Sequence, residues 1–294
     1  MFGGSIAALV TPMTSAGDID KNRWLELLDW HLDCGTDGVV VAGTTGESAT
    51  LTADEFSWLL SSALDRSGGR IKVLAGTGYP STAQTIERTC IAAELSADAA
   101  LVVTPAYNRP SQRGLEAHFR AVADASSIPV VLYNVPSRTA VDLMPETSLR
   151  LFEHDNIVAI KEAVGAADRV AELIAGEMPV LSGDDPTCCE RMLEGAAGVI
   201  SVAANVIPGD FTRLCKLALA GQEDRARAEN ARFSGLYDFL AVEPNPVPVK
   251  WLLAQMGRIG AGLRLPLVGL DERFHARGRA LMHELSLDVA ADVA

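Results

Sequence analysis

Eight short apolar runs, each followed by a longer stretch of mixed polarity, restrict what this chain can fold into more than any other feature of its sequence. The runs lie at 6–10, 38–42, 71–75, 100–103, 129–133, 157–160, 179–182 and 198–202 and are rich in Val, Ile, Ala and Leu. They show no polar alternation, which is the pattern of parallel strands buried on both faces. Between them, the segments 20–34, 52–66, 81–97, 111–126 and 167–176 repeat their apolar residues at helical spacing, and most open on an Asp, Thr or Ser suited to capping. No Pro/Gly-rich linker separates the units. The alternation therefore predicts an α/β fold, a single (β/α)8 TIM barrel, with an open doubly wound sheet as the structural alternative.

After residue 205 the strand signals stop. Helical patterns at 208–220, 222–241, 246–257 and 271–284 finish the barrel and add a C-terminal helical extension. We divide the chain into a catalytic barrel over 1–225 and a helical region over 226–294 packed on it; the final LDVAADVA is expected to fray. A length of 294 residues suits one barrel of roughly 250 residues plus such an extension.

Composition removes several classes of function. With 25 basic against 38 acidic residues the net charge is −13, which repels phosphate backbones and anionic lipid, so neither nucleic acid nor a membrane is expected as a partner. An anionic substrate must be drawn by a few basic groups and backbone N–H groups inside a cleft. Hydrophobic residues make up 48% of the chain, as expected for a large core or sizeable subunit contacts. No stretch is long enough to span a bilayer. Residues 1–12 lack a basic start and a cleavage pattern and read as a first strand, which favours the cytoplasm. The five cysteines include no CxxC pair and the five histidines no HExxH spacing, so we expect reduced thiols, no catalytic metal and no cofactor.

In a βα barrel the active site lies where the strands end, so the polar residues that follow each apolar run are the candidates. The second run leads into Gly43-Thr44-Thr45-Gly46-Glu47-Ser48, the fourth into Thr104-Pro105 and then Tyr107, the fifth into Tyr133-Asn134, the sixth into Lys161-Glu162, and the seventh into Ser182-Gly183-Asp184-Asp185. Lys161 is the most informative: desolvation at the end of an apolar strand disfavours an ammonium and frees an amine to attack a 2-oxo acid. Taken alone, such a strand-end lysine reads more readily as one that snorkels to water or pairs with Glu162, and its neighbours change that balance. The glycine-flanked Thr44-Thr45 turn can aim N–H groups and hydroxyls at a carboxylate, or can be a simple capped turn. Tyr133 is a candidate proton carrier if its hydroxyl is linked to Thr44 or Tyr107, and otherwise a packed tyrosine. Arg138 offers a planar fork for a second carboxylate, or a surface pair with Glu162 or Asp142.

Taken together, GTTGES at 43–48, TPAYNRPSQ at 104–112, YNVPSRT at 133–139, IKEA at 160–163, LSGDD at 181–185, GVISVAAN at 198–205 and EPNPVPVKW at 243–251 resemble the dihydrodipicolinate synthase family, from residue 1 to about 284. The resemblance implies that pyruvate forms an imine with Lys161, becomes an enamine and attacks L-aspartate 4-semialdehyde, giving 4-hydroxy-tetrahydrodipicolinate at the entry to lysine and diaminopimelate synthesis. It implies that Thr45 with Thr44 holds the pyruvate carboxylate and that Thr44, Tyr133 and Tyr107 form a proton relay. Arg138 then binds the semialdehyde carboxylate, and Gly183 and the main chain at Ile200 line the pocket. Such enzymes are usually homotetramers, dimers of tight dimers in which Tyr107 reaches into the neighbour's site.

One departure concerns regulation. Members inhibited by lysine bind it near Ser48 and Ala49, with histidines at the positions of Ala53 and Phe56, asparagine at that of Pro80, glutamate at that of Gln84 and tyrosine at that of Ala106. These polar groups are missing here, so weak or absent inhibition by L-lysine is expected.

Three other readings remain open at this point. N-acetylneuraminate lyase and 2-keto-3-deoxy sugar-acid aldolases share the lysine, the tyrosine and a similar loop, but Arg138 favours a compact substrate carrying a carboxylate. A pyridoxal-phosphate enzyme needs a phosphate cradle that the sequence does not offer. A scaffold barrel has no need of the lysine, tyrosines and arginine at separate strand ends. Lys250 is expected to pack its stem and pair on the surface.

Overall fold

The computed structural model describes residues 2–287. Apart from Leu287, the tail expected to fray lies outside them. Eight strands form a closed barrel in sequence order: β1 (Gly4–Ala8), β2 (Gly38–Val41), β3 (Lys72–Gly76), β4 (Ala99–Val103), β5 (Val130–Asn134), β6 (Ile157–Glu162), β7 (Val180–Ser182) and β8 (Gly198–Ser201). All neighbours are parallel, and the barrel closes where β1 pairs with β8. The open-sheet alternative is thereby ruled out.

Helices α1 (Lys21–Asp33), α2 (Ala53–Ser67), α3 (Thr82–Glu94), α4 (Gln112–Ala125), α5 (Pro136–Thr139), α6 (Pro145–Phe152), α7 (Ala167–Ala175), α8 (Cys188–Leu193) and α9 (Pro208–Leu219) alternate with the strands and cover their outer faces. Several start as the sequence dictates. Asp20 and Ser111 accept backbone N–H groups at the starts of α1 and α4, and Thr52 and Glu55 form a reciprocal capping box on α2. Four further helices follow: α10 (Glu223–Ala231), α11 (Ser234–Leu240), α12 (Val247–Gln255) and α13 (His275–Glu284). Residue 225 lies in the first turn of α10. Among the described residues no helix is long and apolar enough to cross a membrane.

Two apolar layers result. Ile6, Val40, Leu74, Leu101, Val131, Leu181 and Ile200 point inward and fill the barrel as one cluster, while a larger cluster joins the outer strand faces to the helices. The inner cluster is capped at one end by Tyr133.

The structure differs from the sequence-based expectation in three places. β1 begins and ends two residues earlier than the first apolar run, but Leu9 and Val10 stay buried because their amides bond to the Val40 carbonyl and the Asn205 side chain. The single helix expected over 222–241 is broken at Arg232–Phe233, a turn that sends Phe233, Leu236 and Phe239 into the core. Helices α5, α6 and α8 went unforeseen, since four to eight residues carry too little periodicity.

Barrel closure depends on close backbone approach at Gly198, which faces Gly4 in the register of β1 and β8. A Cβ there would sit 2.3 Å from the Gly4 nitrogen and 2.4 Å from its oxygen, and neither atom can move aside independently. Gly198→Ala is therefore expected to destabilise the protein by roughly 1–3 kcal/mol, in the range of overpacked cores. Denaturant unfolding checks this, and an unchanged midpoint contradicts it.

Candidate active site

The register of β5 and β6 sets the centre of the site. Tyr133 is the direct partner of Lys161, so two residues 28 apart in sequence stand side by side at the barrel mouth. Lys161 is 6% exposed and Tyr133 7%, and the lysine Nζ lies 4.3 Å from the centre of the phenol ring. Gly183, after β7, makes room for the lysine: a Cβ at that position would lie 3.0 Å from Lys161 Cε. Ile200 is buried in the layer beneath. Lys161 does not pair with Glu162, because adjacent strand residues point to opposite faces and the Glu162 carboxylate is held by Arg169, Asn134 and the Val164 amide.

The loop after β2 is a tight turn. The amides of Gly46 and Ser48 bond to the Gly43 carbonyl and that of Glu47 to the Thr44 carbonyl, so these three N–H groups point into the turn and do not contribute to the anion nest expected here. Thr44 and Tyr133 line one cavity together with Gly43, Ser48, Gly76, Gly78 and Val103. Thr45 is buried, and its hydroxyl oxygen accepts a 2.9 Å bond from Asn245 Nδ2. With that oxygen occupied, the Thr45 proton is free to donate to a carboxylate.

Asn245 is a residue that the sequence reading did not single out. Besides holding Thr45, its carbonyl accepts a 3.4 Å bond from Arg138, and its Oδ1 is buried without a partner. It thus stands between the threonine and the arginine. The available signal was its setting, an Asn between two prolines in a stretch otherwise made of helices. Arg138 is exposed at the rim on α5 and reaches neither Glu162 nor Asp142; Arg169 takes both carboxylates.

Tyr107 is the outlier. It is 95% exposed, has φ +71° and does not line the Thr44–Tyr133 cavity. The isolated chain therefore brings together Lys161, Tyr133, Thr44, Thr45, Gly183 and Arg138 at one mouth, and leaves Tyr107 in solvent.

Lys250 corrects an expectation. Instead of pairing on the surface, it is 1% exposed and donates to Glu47 Oε1 at 2.5 Å inside the protein. Burial holds the lysine below its ordinary range, and the Glu47 charge opposes that shift. Glu47 itself has left-handed backbone angles, φ 57° and ψ 37°, an uncommon conformation for a residue with a side chain. The ion pair fixes that conformation and ties the Thr44–Thr45 loop to α12. Another buried carboxylate, Asp185, accepts the Val202 and Ala203 amides while its second oxygen has no partner, and burial raises its pKa.

Lys250→Met strands the Glu47 charge and is expected to destabilise the fold by roughly 3–5 kcal/mol, whereas adding Glu47→Leu removes the stranded charge and recovers most of the loss. Thermal melting of the single and double variants distinguishes this from a pair that contributes nothing, for which both would melt like the parent.

Comparison with known proteins shows the family. The sequence profile of the Dihydrodipicolinate synthetase family matches residues 1–284. The 4-hydroxy-tetrahydrodipicolinate synthase of Coxiella burnetii is 50% identical over 287 residues, which covers 98% of this chain and 99% of that one. The enzyme of the same name from Xanthomonas axonopodis pv. citri is 53% identical over 273 residues, 92% of this chain and 90% of that one. Among solved structures, the chloride-inhibited dihydrodipicolinate synthase of Acinetobacter baumannii in complex with pyruvate superposes with a TM-score of 0.96 at 44% identity, over 98% of this chain and 100% of that one. The chain belongs to the dihydrodipicolinate synthetase family.

Proposed function

We propose that this protein is a 4-hydroxy-tetrahydrodipicolinate synthase, which condenses pyruvate with L-aspartate 4-semialdehyde through an imine on Lys161. The observation that carries the reading is the amine itself: buried at a strand end and 4.3 Å from the centre of the Tyr133 ring, which in turn lines one cavity with Thr44. The Lys161 amine adds to the ketone carbon of pyruvate and water leaves, giving the imine. Loss of a methyl proton yields an enamine, whose carbon attacks the aldehyde; attack of the substrate's amino group on the former ketone carbon then closes the ring and frees the lysine.

Each neighbour has a role in this scheme. Thr45 and Thr44 hold the pyruvate carboxylate, and Tyr133 carries protons through Thr44 and Tyr107. Arg138 binds the carboxylate of the semialdehyde, with Gly183 and the main chain at Ile200 lining the pocket. Because Tyr107 is out in solvent in a single chain, the relay needs a second subunit, and we place it in a homotetramer built as a dimer of dimers. We assign the protein to the cytoplasm, where its five free thiols would stay reduced.

Feedback by L-lysine is expected to be weak. Of the positions where lysine-inhibited members carry their ligands, Ala53 and Gln84 line one cavity with Leu51, Tyr79, Glu87, Arg88 and Ile91. Here Phe56, at the position of one of their histidines, is buried beneath the Arg88 guanidinium, 4.2 Å from it, and the carboxylate lining the cavity is that of Glu87.

Three assays test the proposal. With pyruvate present, product should form from L-aspartate 4-semialdehyde and not from N-acetylmannosamine; the reverse preference would make the protein an N-acetylneuraminate lyase. Arg138→Ala should raise KM for the semialdehyde about tenfold or more while leaving KM for pyruvate nearly unchanged, as loss of a charge-assisted clamp dictates. Millimolar L-lysine should change the rate by less than about twofold, since a ligand without favourable contacts has little binding free energy.

A further inference from the structure

Behind Lys161 and Tyr133 lies a buried polar cluster that the chemistry above does not use. The next register pair on the same two strands is Asn134 and Glu162. As Lys161 and Tyr133 face the barrel mouth, these two side chains turn toward the helix layer. Glu162, its side chain 1% exposed, accepts the Val164 amide at 2.7 Å, Asn134 Nδ2 at 3.1 Å and Arg169 Nε at 3.3 Å. Arg169, from α7, also donates to Asp142 at 2.6 Å and to the Leu143 carbonyl at 3.1 Å. Asn134 bonds to Asp142 at 2.8 Å and accepts the Leu143 amide at 2.9 Å. The main chain continues the network: the Glu162 carbonyl accepts the Gly183 amide at 2.8 Å, and Gly183 is the residue against which Lys161 Cε rests.

We propose that Glu162, with Asn134 and Arg169, is a positioning residue that holds the ends of β5 and β6 so that the Lys161 amine stays over the Tyr133 ring. The inference rests on the reading of Lys161 as the imine-forming residue. Three donors reach Glu162 from three separate elements: β5, the turn after β6, and α7. Only a side chain with two acceptor oxygens satisfies all of them, and an apolar residue of the same size would leave the Val164 amide and the Arg169 Nε without an acceptor. Because Glu162 and Lys161 are adjacent on one strand, a shift of the former is a shift of the latter, and a misplacement of about 1 Å can lower a rate on the order of a hundredfold.

The cluster is also sensitive to pH. The charged groups facing Glu162 are Arg169 on α7 and Asp142 on the segment before α6, while Lys161 lies on the opposite face of β6. Burial pushes the Glu162 carboxyl up to about 7, against the Val164 amide and Arg169. As pH falls through that value the carboxyl gains a proton and loses part of its capacity as an acceptor, so the rate should fall with it.

Glu162→Gln and Arg169→Lys test the proposal, with kcat, KM for pyruvate and the pH profile measured at temperatures where melting curves show each variant folded. For Glu162→Gln we expect kcat to drop on the order of ten- to a hundredfold with KM for pyruvate within a factor of about two, and the acid limb near pH 7 to disappear. Arg169→Lys, which keeps the charge and loses the fork, should lose less. A folded Glu162→Gln variant with the parent's kcat and pH profile overturns the proposal. If that variant does not fold, Arg169→Lys decides: a lower kcat supports the proposal and the parent's kcat overturns it. A parent protein that is inactive with pyruvate and L-aspartate 4-semialdehyde would instead overturn the reading of Lys161.

Discussion

The register between two neighbouring strands governs this site. β5 and β6 are paired so that Tyr133 meets Lys161 on the inner face and Asn134 meets Glu162 on the outer one. A slip of one residue would turn the amine into the helix layer and the carboxylate into the pocket. Closure of the barrel leaves no free edge along which such a slip can be accommodated. The inner cluster of Val, Leu and Ile thus supplies more than stability: it fixes the depth at which the lysine stands.

The C-terminal helices act on the same site from the other side. Three residues beyond the eighth strand reach the segment after β2: Lys250 bonds to Glu47, Asn245 to Thr45, and Arg264 to Glu47 through its amide and to Glu55 through its guanidinium at 2.8 Å. Two of these groups hold Glu47 in a backbone conformation that it would rarely adopt unaided. The extension is therefore part of the apparatus that shapes the Thr44–Thr45 loop.

The sequence revealed much of this through chemistry that is local. Apolar runs marked the strands, and their ends located Lys161, Tyr133, Thr44 and Gly183. It was less informative where the deciding contact spans the chain. Nothing near Lys250 shows that its partner is Glu47, about two hundred residues away, so a surface role was the natural reading. Asn245 carried only the hint of its flanking prolines. Arg169 was hidden for another reason: its acceptors, Asp142 before α6 and Glu162 at the end of β6, lie on separate elements, and Arg138 looked the nearer candidate for Asp142. Tyr107 is a different case, since in the single chain its side chain is 95% exposed, away from the Thr44–Tyr133 cavity.

The central claim is that the Lys161 amine attacks pyruvate. Reducing the protein with borohydride in the presence of pyruvate, then mapping its peptides by mass, tests it most directly. The account predicts a single pyruvate-derived adduct, located on Lys161. No adduct, or an adduct on another lysine with Lys161 unmodified, would contradict it.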